Sequence, residues 1–270
     1  MKTVACIIAR TNSSRLPLKV LRDCGLGYSV LELLIRRVKT VSAINEIYLC
    51  TSSHPGDDIM EDIAIRENIK LYRGSEESVI DRMIEVGKRT EADAVIRITG
   101  DNPLTSVEYL PSQIKAMEKH DLDYVRLVDV PIGATAELIR YSALVDCYES
   151  MDPNISEYMM LFLFNPDTYR CGILKPFSED YSDYSVTVDT SEDLARLKQT
   201  VKFGKERIES PERISLDIIL DAYRKNTHWP ALKLSNGGPV KMPYGKSMPF
   251  NEFKRDMDSR KDKSHQIRMN

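Results

Sequence analysis

"CIIARTNSSRLPLKVL", residues 6–21, begins as a run that suits a buried strand. Within one step it turns to Arg, Thr, Asn and Ser, with a second Arg and, four residues later, a Lys. The β-rich start extends back to "TVACIIA" (3–9), and similar runs recur at "EIYLCT" (46–51), "KLYR" (70–73) and "DAVIRIT" (93–99). Between the first two, Leu31, Leu34, Ile35 and Val38 follow the i, i+3, i+4, i+7 spacing of a helix with one apolar face. Comparable helices fit 57–67 and 76–89. This alternation predicts an α/β fold, a mostly parallel sheet sandwiched between helices with right-handed crossovers.

Beyond residue 104 the rhythm loosens. Helices are expected near 107–119, 141–149 and 154–164, and strands at "DYVRLV" and near 169–174. "SVTVD" (185–189) reads as a return strand, and Thr190 with Asp193 as a capping-box start for a helix bearing Leu194, Leu197 and Val201. The main domain is expected to close near 205. A helix over 211–225 and a Pro- and Gly-rich, partly flexible extension follow. From 231 to 270 nine Lys and Arg face four Asp and Glu, so the tail carries about +5 and the preceding body about −8.

The 270-residue chain is long enough for one sizeable core, and its net charge of −3 provides no general attraction to nucleic acid or an anionic membrane. Five scattered cysteines, at 6, 24, 50, 147 and 171, form no CxxC pair, which suits reduced thiols in the cytoplasm. The apolar N-terminal run is too short to span a bilayer and carries no cleavage pattern.

In open α/β sheets ligands sit beyond the carboxyl ends of the strands, and the loop after the first strand is the usual phosphate site. Arg10, Arg15 and Lys19 fall in or at the exit of that loop, with Ser13 and Ser14 as added donors. Three such cations could also be an ordinary solvated surface. The loop has neither the Walker A nor the Rossmann glycine pattern, so a polyphosphate bound there needs acids from elsewhere to bring in a metal. Asp101 follows the buried run "AVIRIT", and Asp189 ends "SVTVD". Each could simply cap the next helix; together with the cationic loop they make a Mg²⁺–triphosphate site, since Mg²⁺ favours one or two carboxylates plus phosphate oxygens.

"IIARTNSSRLPLKVL" resembles the signature loop of the cytidylyltransferases that make CMP-activated acidic sugars, the CMP-KDO and CMP-sialate synthetases. Its spacing is nearest to the branch named for spore coat polysaccharide biosynthesis. "YRGSEESVIDR", "AVIRITGDNPL", "SEYMMLFLFNP" and "TVDTSEDLARL" resemble that branch in the same order, over residues 2 to about 205.

The resemblance implies a nucleotide-diphospho-sugar transferase (Rossmann-like) fold and transfer of CMP from CTP to an acidic sugar, with pyrophosphate released. It implies that Arg10, Arg15 and Lys19, helped by Ser14, bind the CTP phosphates, and that Asp101 and Asp189 hold catalytic Mg²⁺. Ala9, Thr51, Ser52, Arg73 and Thr99, with Gly100 beside them, would line the cytidine pocket. A homodimer joined through about 130–165 is the family expectation. Arg73 could equally pair with Glu76 or Glu77.

The departures from the family pattern are "GYS" at 27–29 in place of "GKP", Ile132–Gly133–Ala134 with an acid only at Glu137, and "SEY" at 156–158 in place of "SEH". All three fall where the acceptor is expected. Composition does not separate CTP from UTP, and a phosphonate or polyol phosphate acceptor, or a non-catalytic nucleotide-binding module, stays open on the residues alone.

Overall fold

A computed structural model describes residues 1–233 and 239–268 of the chain. Strand β1 (Thr3–Ile8) lies inside an eight-stranded sheet, with β2 (Glu46–Ser52) on one side and β4 (Ala94–Thr99) on the other, both parallel to it. Its sequence is apolar without alternation because both of its faces are covered. Ala5 and Ile7 join one core with helices α1 (Val30–Lys39) and α2 (Ile59–Arg66). Val4 and Cys6 join a second core with α3 (Val79–Thr90) and α5 (Tyr141–Ser150). Each fully buried Ile or Leu contributes about 1.5–3 kcal/mol, so these two faces supply much of the folding free energy.

The strand order is β10-β7-β5-β6-β4-β1-β2-β3. Here β3 is Lys70–Gly74, β5 Tyr124–Leu127, β6 Glu137–Arg140, β7 Cys171–Leu174 and β10 His265–Ile267. Only β6 runs against its neighbours β4 and β5 in this sheet. From β1 the chain builds outward through β2 and β3, then returns to the far side of β1 as β4. The connections leaving β1 and β4 therefore diverge, opening a crevice at their carboxyl ends.

Helix starts are set by local chemistry. Thr190 and Asp193 form a complete capping box at α7 (Ser191–Lys205), as their spacing predicts, and Ser29 and Glu32 form another at α1 that the sequence reading did not single out. Helix α4 (Leu110–Lys119) follows a 3-10 turn at Val107–Tyr109. The stretch expected as one helix over 154–164 is a 3-10 segment, Pro153–Tyr158, followed by the single turn α6 (Met160–Leu163).

Two expectations are corrected. "SVTVD" is extended but not a ladder strand: Val186 N–H donates to Ile132 and Val188 N–H to Asp101, with one isolated bridge between Ile132 and Ser185. The helix expected over 211–225 is present and packs on the main core, whereas the segment beyond it, expected as a partly flexible extension, returns to the sheet within residues 239–268. Helix α8 (Leu216–Lys225) buries Leu216, Ile219, Leu220 and Tyr223 in the main core. A two-residue hairpin, β8 (Val240–Lys241) with β9 (Ser247–Met248), leads to α9 (Phe250–Lys263), and β10 pairs in parallel with β7.

Cations of α9 meet acids of the body, with Lys254 on Asp180 at 3.0 Å, Lys261 on Asp129 at 2.9 Å and Lys263 on Asp167 at 2.9 Å. The opposite charges of tail and body are thus used in docking. No helix among the described residues is long and apolar enough to cross a membrane.

Candidate active site

At the carboxyl edge of the sheet β1 and β4 approach closely. Ala9 N–H donates to the Cys50 carbonyl at 3.1 Å and Gly100 N–H to the Ile8 carbonyl at 2.7 Å. A Cβ at Gly100 would lie 2.7 Å from Ala9 Cβ and 3.2 Å from the Ile8 oxygen. Only glycine fits there, which is the physical content of "TGD" after the strand.

The cationic loop then crosses the crevice. Leu18 adopts a left-handed conformation (φ 56°, ψ 30°) immediately before a 3-10 turn at Lys19–Leu21, at a cost on the order of 1–2 kcal/mol for a non-glycine residue. Lys19 Nζ donates to Asp101 Oδ2 at 2.5 Å and to Asp189 Oδ1 at 2.7 Å. Arg15 Nη2 reaches the same Asp189 oxygen at 2.8 Å. Burial disfavours the Lys19 ammonium, but the charges and hydrogen bonds of Asp101 and Asp189 outweigh it and raise its pKa.

The two acids come together through the backbone as well, since Val188 N–H donates to the Asp101 carbonyl at 2.9 Å. Asp189 is not a helix cap. The capping pair of α7 is Thr190 with Asp193, and Asp193 Oδ2 accepts the Asp189 N–H at 3.0 Å, so the Asp189 carboxylate is directed to Lys19 and Arg15.

Arg15, Lys19, Asp101 and Asp189 thus form one cluster, with Ala9, Thr99 and Gly100 adjoining it. Arg10 and Ser14 are exposed, and neither makes a side-chain ion pair or hydrogen bond among the described residues. Thr51 and Ser52 are buried at the end of β2. Arg73 pairs with neither Glu76 nor Glu77. It donates to the carbonyls of Ser52 (3.2 Å) and His54 (3.0 Å) and meets Asp58 at 2.7 Å, which holds it over the end of β2.

Sequence reasoning missed Asp57. Its carboxylate accepts from Thr11 N–H at 2.7 Å, Thr11 Oγ1 at 2.8 Å and Ser52 Oγ at 2.5 Å, fastening the loop after β1 to the end of β2. Burial pushes its pKa up, but the Ser52 and Thr11 donors prevail and hold it below the ordinary value. Its sequence signal is an acid after "HPG" at the start of the helix expected over 57–67, which does not point to the loop after β1.

Beside Thr99 opens a cleft of about 260 Å³ lined in part by Arg97, Asn102, Gly133, Thr135 and Glu157. Asn102 Nδ2 donates to Thr99 Oγ1 at 2.5 Å. Gly133 has φ 87°, and a Cβ on it would lie 2.7 Å from Asn102 Oδ1. Glu137 is not free: it accepts from Tyr124 Oη at 2.6 Å and pairs with Arg97. Ser156 Oγ accepts the Val79 N–H at 2.8 Å at the start of α3, while Tyr28 hydrogen-bonds Glu212 at 3.0 Å beneath the Arg36 guanidinium.

As metal ligands the residues present fit a partial set. Among the described residues no group of three or more His, Cys, Asp or Glu converges to hold an ion, but Asp101 and Asp189 already share one bound cation, the Lys19 ammonium. Two carboxylates with the rest of the sphere left to phosphate oxygens and water is the donor set Mg²⁺ prefers.

A switch-point crevice with cations on one rim and paired carboxylates on the other defines a nucleotide-binding α/β protein. The comparisons make the class specific. The cytidylyltransferase family model matches residues 4–214. Spore coat polysaccharide biosynthesis protein SpsF of Bacillus subtilis is 32% identical over 220 residues, 78% of this chain and 91% of that protein. A 3-deoxy-manno-octulosonate cytidylyltransferase of Koribacter versatilis is 31% identical over 135 residues, 49% of each chain. A solved cytidylyltransferase structure from Leptospira borgpetersenii superposes with a TM-score of 0.75 over 86% of this chain and 97% of its own, at 24% identity, and shares the fold. The chain belongs to the cytidylyltransferase family and is a CTP-dependent nucleotidyltransferase.

Proposed function

We propose that the protein transfers CMP from CTP to an acidic sugar in surface polysaccharide or glycoconjugate synthesis, releasing pyrophosphate. The observation that carries this reading is the Lys19 ammonium held between Asp101 and Asp189 at the mouth of the β1–β4 crevice. Arg10, Arg15 and Lys19, with the Ser14 hydroxyl, bind the triphosphate. Ala9, Thr51, Ser52, Arg73, Thr99 and Gly100 surround the cytidine.

An acceptor hydroxyl attacks the α-phosphorus and gives up its proton to solvent as the bond from that phosphorus to the oxygen bridging to the β-phosphate breaks, and the bonding electron pair leaves with pyrophosphate. Arg15 and Lys19 offset the charge that gathers on that leaving group. Asp101 and Asp189 would hold Mg²⁺, which supplies charge neutralisation at the phosphates and lowers the pKa of a bound hydroxyl. Once triphosphate is present, Lys19 passes its hydrogen bonds from the carboxylates to phosphate oxygens.

The acidic-sugar acceptor is supported by the octulosonate cytidylyltransferase relative and by the cleft beside Thr99. A homodimer joined through residues 130–165 follows the family expectation, and five free, buried thiols suit a reducing cytoplasm. Asp101→Asn and Asp189→Asn test the reading by pyrophosphate release from CTP. Loss of turnover by roughly a thousandfold is expected, whereas full turnover in either variant overturns it.

A further inference from the structure

The span matched by the family model stops at residue 214, yet part of the cleft beside Thr99 is built from the chain beyond it. Arg97, Asn102 and Arg126 line the sheet side, and Lys241, Met242 and Phe253 line the other. Two buried atoms of the sheet side have no hydrogen-bond partner among the described residues, Arg126 Nη1 and Asn102 Oδ1. A buried donor and a buried acceptor left unpaired are costly. They complement an anionic oxygen and a hydroxyl, in that order. Arg97 is committed to Glu137, whereas Arg126 makes no ion pair among the described residues.

The opposite wall is fastened firmly. Arg260 Nη1 donates to the carbonyls of Leu161 at 2.7 Å and Phe164 at 2.8 Å, and Ile267 of β10 pairs with Leu174 of β7. Gly172 of β7 leaves room for this strand: a Cβ there would lie 2.9 Å from Ile267 Cδ1. Helix α9 is thereby pinned at its C-terminal end while Phe253, on its first turn, faces the cleft.

We propose that the segment from Val240 to Phe253 completes the acceptor pocket and sets its selectivity. Phe253 packs on the carbon skeleton of the acceptor, Arg126 and Lys241 take its carboxylate, and Asn102 accepts from one of its hydroxyls. This rests on the transferase reading above, in which the cleft beside Thr99 receives the acceptor.

The test uses the full-length protein with CTP, Mg²⁺ and either 3-deoxy-manno-octulosonate or N-acetylneuraminate, each compared with its carboxyl-reduced alcohol. The wild type is expected to convert at least one acid and neither alcohol. Lys241→Gln and Phe253→Ala are expected to raise KM for that acid roughly tenfold, with KM for CTP within about twofold, and Phe253→Leu to recover most of the loss.

Equal conversion of acid and alcohol, an unchanged acceptor KM, or a parallel rise in both KM values overturns the proposal. So does a wild type that binds CTP in titration calorimetry but converts no acid. Failure to bind CTP at all strikes instead at the function proposed above, and the two failures are told apart by that calorimetry.

Discussion

Val188 donates its backbone N–H to the carbonyl of Asp101 at 2.9 Å, joining two segments 87 positions apart in sequence. Through this bond the end of β4 and the start of α7 present Asp101 and Asp189 to the same Lys19 ammonium. The acids are thus positioned by backbone, independently of the cation between them.

Replacing Lys19 by Met should cut turnover by roughly a hundredfold or more through lost charge compensation at the leaving group. It also leaves two neighbouring carboxylates without their shared cation. The raised Lys19 pKa means that its contribution to stability is fully present below the ordinary lysine value and is lost only as pH rises through the higher folded value. The variant lacks this titrating ammonium, so the loss of stability that the wild type shows as pH rises through the raised Lys19 value should be absent from it. Chemical denaturation at several pH values checks this.

Asp57→Asn keeps the shape but weakens the acceptor that ties Thr11 to Ser52. The lowered Asp57 pKa contributes stability present above the ordinary aspartate value and lost as pH falls through the depressed folded value. The variant should therefore lose about 1–3 kcal/mol near neutrality and show a flatter acid limb. Because the loop after β1 is loosened, KM for CTP should rise more than kcat falls.

Gly100→Ala should destabilise the protein by about 1–3 kcal/mol, because the new methyl would meet Ala9 Cβ at 2.7 Å and the Ile8 carbonyl at 3.2 Å. Thermal unfolding measures the loss. An unaltered melting temperature would mean that the β1 and β4 ends are less closely apposed than described.

Arg260→Ala removes the donors that hold Leu161 and Phe164 to α9. Hydrogen exchange should quicken across α9 and β10, with the β1–β4 region unchanged. Raising the salt concentration should act in the same direction, since partly exposed ion pairs such as Lys254 with Asp180 and Lys263 with Asp167 are screened.

What could be read from the sequence was whatever rests on local pattern. The apolar run of β1, the largely apolar β4 with Arg97 in it and the apolar face of α1 are local signals, as is the cap at Thr190. Asp101 and Asp189 stood out because each lies at the carboxyl end of a strand-like run. The failures share a different cause. "SVTVD" has the alternation of a strand, but it finds single bonds to Ile132 and Asp101 in place of a ladder partner. β10 is three residues, "HQI", whose pairing with β7 depends on the small Gly172 far away in sequence. Asp57 and the α9 cations acquire their meaning from partners that no spacing rule connects to them.

The central claim is that Asp101 and Asp189 jointly hold the divalent ion that accompanies CTP. Crystals soaked with CTP and Mn²⁺, examined by anomalous scattering, test it most directly. A single strong peak between the two carboxylates and the nucleotide phosphates, with Lys19 turned onto the phosphates, is the predicted result. A peak elsewhere, or a nucleotide bound with both aspartates still on Lys19, would contradict it.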